Sequence, residues 1–102
     1  MRIIVEGYAY AVENFEDPTG TQLIQFIHKE KIDEQGTLRT VRDGTTNEEI
    51  LAVLLNRLLV QYGKLPSNET MEAIQHLNHA RELLMKRTQD RVKRGVEGTM
   101  KE

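Results

Sequence analysis

Residues 46–63 read TNEEILAVLLNRLLVQYG. Thr46-Asn47-Glu48-Glu49 is a capping box: a threonine at the N-cap and a glutamate three residues on each satisfy an orphan backbone N–H. The spacing predicts a helix over residues 47–62, with Gly63 just past its end. Ile50, Leu51, Val53, Leu54, Leu55, Leu58, Leu59 and Val60 cover far more than the roughly 100° stripe that one contact needs. Such a helix is expected to be covered on two sides. One cover is the next helix; the other is the sheet, a second subunit, or both.

Downstream, Lys64-Leu65-Pro66 makes a short connection and Ser67 is a good N-cap. Residues 68–94 predict a second helix, about 40 Å long at 1.5 Å per residue. Its apolar stripe is Ile74, Leu77, Ala80, Leu84, Met85, Thr88 and Val92. The pair therefore predicts an antiparallel αα-hairpin. Arg87, Arg91 and Arg94 stand at i, i+4, i+7, at one border of that stripe, with His76, Ala80 and Leu83 along the same border. Lys93 adds a cation, Gly95 suits a left-handed cap, and residues 96–102 read as a polar tail. Two readings of the cations compete. They complement the helix dipole on a solvated end, or they form an anion site, since guanidinium groups match phosphate oxygens in bidentate geometry.

Upstream, residues 2–12 (RIIVEGYAYAV) are rich in β-branched and aromatic types and predict a strand, with Gly7 marking a bulge or close approach. Asp17-Pro18-Thr19-Gly20 is a turn signal. Residues 22–29 predict a second strand, residues 30–36 a charged turn ending at Gly36, and residues 37–42 a third strand before the Asp43-Gly44 turn. The fold class expected is α+β: a small N-terminal antiparallel β-sheet (1–43), then a long αα-hairpin (44–99), in one domain over 1–102, oligomeric.

Composition narrows the class. The chain has 102 residues, 38% of them apolar, against roughly 45–50% for a typical globular chain. A modest private core is expected, with extra burial from an oligomer. The net charge of −2 gives no bulk attraction to nucleic acid. The absence of cysteine excludes disulfides and thiolate chemistry and fits a reducing cytoplasm. Neither a signal peptide nor a membrane span is read: Ile3-Ile4-Val5 is short, and Val53-Leu54-Leu55 sits inside an amphipathic pattern.

Catalysis is poorly supported by the residues. His28, His76 and His79 lack metal-ligand spacing with carboxylates and are read as solvated. Ser67 is used as a cap, and Glu48 and Glu49 suit a helix N-terminus. No phosphate loop or nucleotide fingerprint is present. Phe26 is read as core, while Tyr8 and Tyr10 are left between core and base stacking. Binding remains: phosphates for the arginines, and a base for apolar or aromatic surface, at a subunit interface.

The run Arg87-Thr88-Gln89-Asp90-Arg91-Val92-Lys93-Arg94-Gly95-Val96-Glu97-Gly98-Thr99 resembles the RT-x-x-R-x-x-RGVEGT ending of the phage anti-Thoeris cyclic ADP-ribose sponge family. That family shares a helical hairpin with the anti-CBASS cyclic-nucleotide sponges. Gly44-Thr45-Thr46-Asn47-Glu48 is similar to the family's G-x-TNE. The resemblance covers residues 44–99; residues 1–43 match in outline only, as a strand-rich segment, which favours the anti-Thoeris branch.

The resemblance implies a non-enzymatic sponge, free of cofactor and metal. It would sequester a cyclic nucleotide second messenger intact: glycocyclic ADP-ribose from TIR enzymes, and in some members CBASS cyclic oligonucleotides. It further implies a homo-oligomer, commonly a hexamer, with pockets between subunits, in the cytoplasm of the infected bacterial host. No membrane or nucleic acid polymer is expected as a partner. Arg87 matches a position that looks like a ligand contact, and Arg91, Arg94 and Lys93 fall in the basic run that follows. Thr70 stands where family members often carry asparagine. Val60 stands where they carry an aromatic, and Tyr62 is the candidate to supply that ring. Arg39 or Arg42 matches a strand arginine of the family. The alternative, from another class, is a small phage or prophage regulator that binds nucleic acid or a host protein through the basic helix end.

Overall fold

The computed structural model describes residues 1–93. It is α+β, with five antiparallel strands in two small sheets, followed by two helices. The chain divides into two compact units, Met1–Thr46 and a second that begins at Asn47.

The first unit holds the strands. β1 (Arg2–Val5), β2 (Ala9–Glu13) and β3 (Thr21–Gln25) form one sheet in that order. β4 (His28–Lys31) and β5 (Leu38–Arg42) form the other. Three expected strands are thus five, and one expected sheet is two. The stretch 2–12 is broken by a turn in which the Tyr8 N–H donates to the Val5 carbonyl at 2.9 Å. Gly7 takes a φ of 83° there, a left-handed conformation open to glycine at little cost. The stretch 22–29 is broken at Phe26 and Ile27, where Thr45 bridges in parallel. Part of the expected charged turn is strand β4, whose backbone pairs with β5 whatever its side chains are.

β1 is irregular. Ile3 pairs with Tyr10 and Val5 with Ala9, so Ile4 is an extra residue on the edge strand, a β-bulge. All four residues of β1 are exposed. The core of this unit is small: Ala9 and Ala11 on β2 are buried. Half-buried aromatics surround them. Tyr10 meets Phe26 edge-on at 6.0 Å, and Tyr8 stacks on His28 at 3.7 Å between ring centroids. His28 is therefore not the solvated residue its sequence suggests; its ring lies under a tyrosine and 3.7 Å from Glu30 Oε1. The Asp17–Gly20 turn forms as expected, with Asp17 Oδ1 accepting from the Thr19 N–H at 3.0 Å and the Thr19 hydroxyl at 2.6 Å.

The second unit is the hairpin. α1 spans Asn47–Lys64 and α2 spans Asn68–Lys93. α1 runs through Gly63 instead of ending before it. The residue has no positive φ, and the Leu65 N–H still reaches the Gln61 carbonyl at 2.8 Å. Pro66, which has no N–H and disfavours helical geometry in the residue before it, is what stops the helix. Ser67 caps α2 as expected: its Oγ accepts the Thr70 N–H at 3.1 Å and donates to Thr70 Oγ1 at 2.8 Å.

The helices are antiparallel: Arg81, midway along α2, donates its Nε–H to the carbonyl of Glu48 in the first turn of α1. Leu55 and Ile74 are buried between them, with Leu51, Leu58, Tyr62 and Leu77 half-buried. The remaining apolar surface of α1 is uncovered: Val53, Leu54, Leu59 and Val60 are exposed. Among the described residues, no helix is long and apolar enough to cross a membrane.

Candidate ligand site

α2 continues without interruption to Lys93, so Arg87 and Arg91 lie on neighbouring parts of one helical face. Arg87 and Lys93 are exposed and Arg91 is half-buried. Residues 86–93 hold Lys86, Arg87, Arg91 and Lys93 against one acid, Asp90. That balance makes the last turns of α2 a cationic end, complementary to the dipole and open to an anion. Arg94, Gly95 and the tail 96–102 lie outside the described residues.

Beside this end is a groove of about 290 Å³, lined by Glu48, Glu49, Arg81, Met85, Thr88 and Gln89. The antiparallel packing creates it by setting the first turn of α1 against the later turns of α2. Arg81 is the hinge of this contact, with Nε 3.4 Å from the Glu48 carbonyl oxygen. Met85 offers apolar surface, while Thr88 and Gln89 offer both donors and acceptors. Two carboxylates against one guanidinium leave the groove net acidic. An anion is therefore better received on the arginine border than inside it. Thr88, inside, and Arg87, on the border, are consecutive, so one turn of α2 presents both surfaces.

The other residues singled out from the sequence fall elsewhere. Thr70 belongs to the cap of α2, and Tyr62 is half-buried near the end of α1. Both are at the closed end of the hairpin. Thr70 and Arg87 are 17 residues apart on one helix, or about 25 Å, so one small ligand cannot touch both within a single hairpin. Arg39 and Arg42 are exposed on β5, paired across the ladder with Glu30 and His28. A second pocket, about 240 Å³, lies in the strand unit among Arg2, Ala11, Glu13, Pro18, Thr19 and Thr21.

Sequence reasoning did not single out Glu48, Glu49, Arg81, Met85 or Gln89 as ligand-facing. The i+4 spacing of Arg81 and Met85, on the stripe that meets α1, was the available signal. Among the described residues, Asp17 and Asp33 have a lowered pKa, and both are remote from this groove. Hydrogen bonds from Thr19 hold Asp17 below its ordinary 3.8, and hydrogen bonds from Thr37 do the same for Asp33. Among the described residues, no group of histidine, aspartate and glutamate side chains could hold a metal ion. His76 pairs with Glu72 at 3.6 Å, one turn away on an exposed face. No protein-family model, curated protein or solved structure matches this chain.

Proposed function

We propose that this protein is a phage anti-defence sponge of the anti-Thoeris type, which captures a cyclic nucleotide immune signal without cleaving it. The observation that carries this reading is the helix end itself: Arg87 exposed and Arg91 half-buried on one continuous helix, one residue from a groove with apolar, donor and acceptor surface. The resemblance of residues 44–99 supplies the ligand class, glycocyclic ADP-ribose or a cyclic oligonucleotide. In this reading the basic residues hold phosphates, each charge-assisted hydrogen bond contributing roughly 1.5–3 kcal/mol. The groove beside them takes the uncharged part of the ligand. The site needs no cofactor, since nothing is chemically changed.

The reading includes a homo-oligomer. Thr70 and Tyr62 lie about 25 Å from Arg87 along the hairpin, so they join one pocket only if neighbouring hairpins lie side by side. The arrangement would act in the cytoplasm of the infected host, where the signal is made.

Calorimetric titration with cyclic ADP-ribose isomers and cyclic di- and trinucleotides tests the proposal. A sponge that outcompetes an effector is expected to bind one class at nanomolar strength, about −12 kcal/mol, and to release it unaltered on denaturation. A changed molecule would make the protein an enzyme. No binding to any of them would overturn the reading. Affinity that instead rises with oligonucleotide length and falls steeply with salt would point to nucleic acid as the partner of the basic helix end.

A further inference from the structure

One face of the β1–β2–β3 sheet carries two opposite charges that do not meet. Arg2 pairs with Ala11 across the ladder, and Glu13 pairs with Thr21. Ala11 and Glu13 are two residues apart on β2, so Arg2, Ala11, Glu13 and Thr21 share that face. Arg2 and Glu13 are diagonal neighbours, with backbones about 8 Å apart at ordinary strand spacing and rise. Long side chains can close such a gap. Among the described residues, however, neither joins the other, or any third group, in an ion pair. Ala11, 3% exposed, is the floor of the hollow that they border.

Pro18 and Thr19, from the turn between β2 and β3, wall this hollow of about 240 Å³. The wall is pre-formed. The Asn14 N–H donates to the Gly20 carbonyl at 2.9 Å, and the Gly20 N–H to the Asp17 carbonyl at 3.0 Å. Thr19 donates its hydroxyl proton to Asp17 at 2.6 Å and keeps lone pairs that can accept from a cation. A bare anion on Arg2 would face the Glu13 carboxylate, and a bare cation on Glu13 would face the guanidinium. A neutral molecule would leave both charges without a partner. A zwitterion satisfies both. Two charge-assisted hydrogen bonds of about 2.8 Å leave roughly 2–3 Å of the diagonal for the ligand's own charges, which fits carboxylate and ammonium on one carbon. The volume lies below the roughly 300–1,000 Å³ of pockets for drug-sized ligands, so the rest of the molecule is small.

We infer that the strand unit holds a second ligand site, for a free α-amino acid with a small side chain. Arg2 takes the carboxylate. Glu13, with the Thr19 hydroxyl oxygen beside it, takes the ammonium. Ala11 and Pro18 give the side chain apolar contact. The site lies wholly within Met1–Thr46 and draws on no residue of the hairpin. It stands whether or not the protein captures a nucleotide.

The test is titration of the full chain with glycine, L-alanine and L-serine, followed by two-dimensional amide NMR. At least one of them is expected to give saturating shifts centred on Ala11, Thr19 and Thr21, with a Kd of about 1 mM or below. N-acetylalanine lacks the ammonium, alaninamide lacks the carboxylate, and γ-aminobutyrate sets its charges further apart. Each is expected to bind at least about tenfold more weakly than the best amino acid. Arg2→Gln and Glu13→Gln, both at exposed positions, are expected to cost the same factor while the amide spectrum of the sheet is retained. Absence of saturable shifts with all three amino acids, or shifts centred elsewhere, would overturn the site. An analogue that binds as tightly as the best amino acid would overturn its zwitterionic chemistry. Variants that bind as tightly as the wild type would overturn the roles of Arg2 and Glu13. The analogue series uses the wild type, so it decides the chemistry even where a substitution disturbs folding.

Discussion

A Cβ placed on Gly44 would stand 2.5 Å from the carbonyl oxygen of Gln25. It would also come within 2.6 Å of the Phe26 carbonyl carbon and 2.8 Å of the Ile27 nitrogen. All three atoms are backbone and cannot swing aside. The close approach lets Thr45 donate to the Gln25 carbonyl at 2.8 Å and accept the Ile27 N–H at 3.0 Å. Gly44→Ala must open this crossing and is expected to destabilise the strand unit by about 1–3 kcal/mol, as overpacking does. Urea unfolding followed by tyrosine fluorescence would read the loss.

Gly63 is the opposite case. It lies inside α1 with a helical backbone, and an added Cβ meets nothing within 4 Å. Gly63→Ala removes conformational freedom from the unfolded chain at no steric cost and is expected to stabilise by about 0.5–1 kcal/mol. A melting temperature higher by a few degrees in thermal circular dichroism would bear this out. A lower one would mean that the glycine serves a contact outside this chain.

Asp33 makes the turn between β4 and β5 sensitive to acid. Its Oδ1 accepts the Thr37 N–H at 3.0 Å, which holds the carboxyl below the ordinary 3.8. The folded pKa is depressed, so the stabilisation is complete above 3.8, fades as pH falls through that value, and is gone below the folded pKa. Asp17, bonded by Thr19, follows the same sign. Asp17 is exposed and Asp33 half-buried, and solvent screens both, so a small effect is expected. NMR titration of the Asp33 carboxyl should give a midpoint below the ordinary 3.8, and Asp33→Asn should flatten the pH dependence of stability below about pH 4.

Arg87→Ala separates a ligand contact from a structural residue. Arg87 is exposed near the end of α2, so under the proposed function its loss is expected to weaken nucleotide binding by about 10- to 100-fold, one charge-assisted hydrogen bond's worth. The sedimentation behaviour should not change. Unchanged affinity, or a dissociated oligomer with normal helix content, would place the phosphate site elsewhere.

The hairpin was legible because its signals are local. Thr46 and Glu49 begin α1, Ser67 begins α2, and both apolar stripes follow the helical period. Gly63 misled because a glycine only permits a left-handed stop, whereas Pro66 imposes an end. The strands were harder. His28-Lys29-Glu30-Lys31 has no apolar alternation, and its strand exists because a distant segment, Leu38–Arg42, supplies the ladder. The arginine spacing on α2 could be read from the sequence, but the groove could not. It depends on which turn of α1 faces which turn of α2, and Arg81 meeting the Glu48 carbonyl is a contact across 33 residues.

The bulge at Ile4 bears on solubility. Arg2-Ile3-Ile4-Val5 is a short, greasy strand on the rim of its sheet, and a flat rim of that composition would recruit further chains into fibrils. The extra residue bends the rim and breaks its regular row of donors and acceptors, so it makes a poor template. This small irregularity guards the rim against pairing with the rim of another copy.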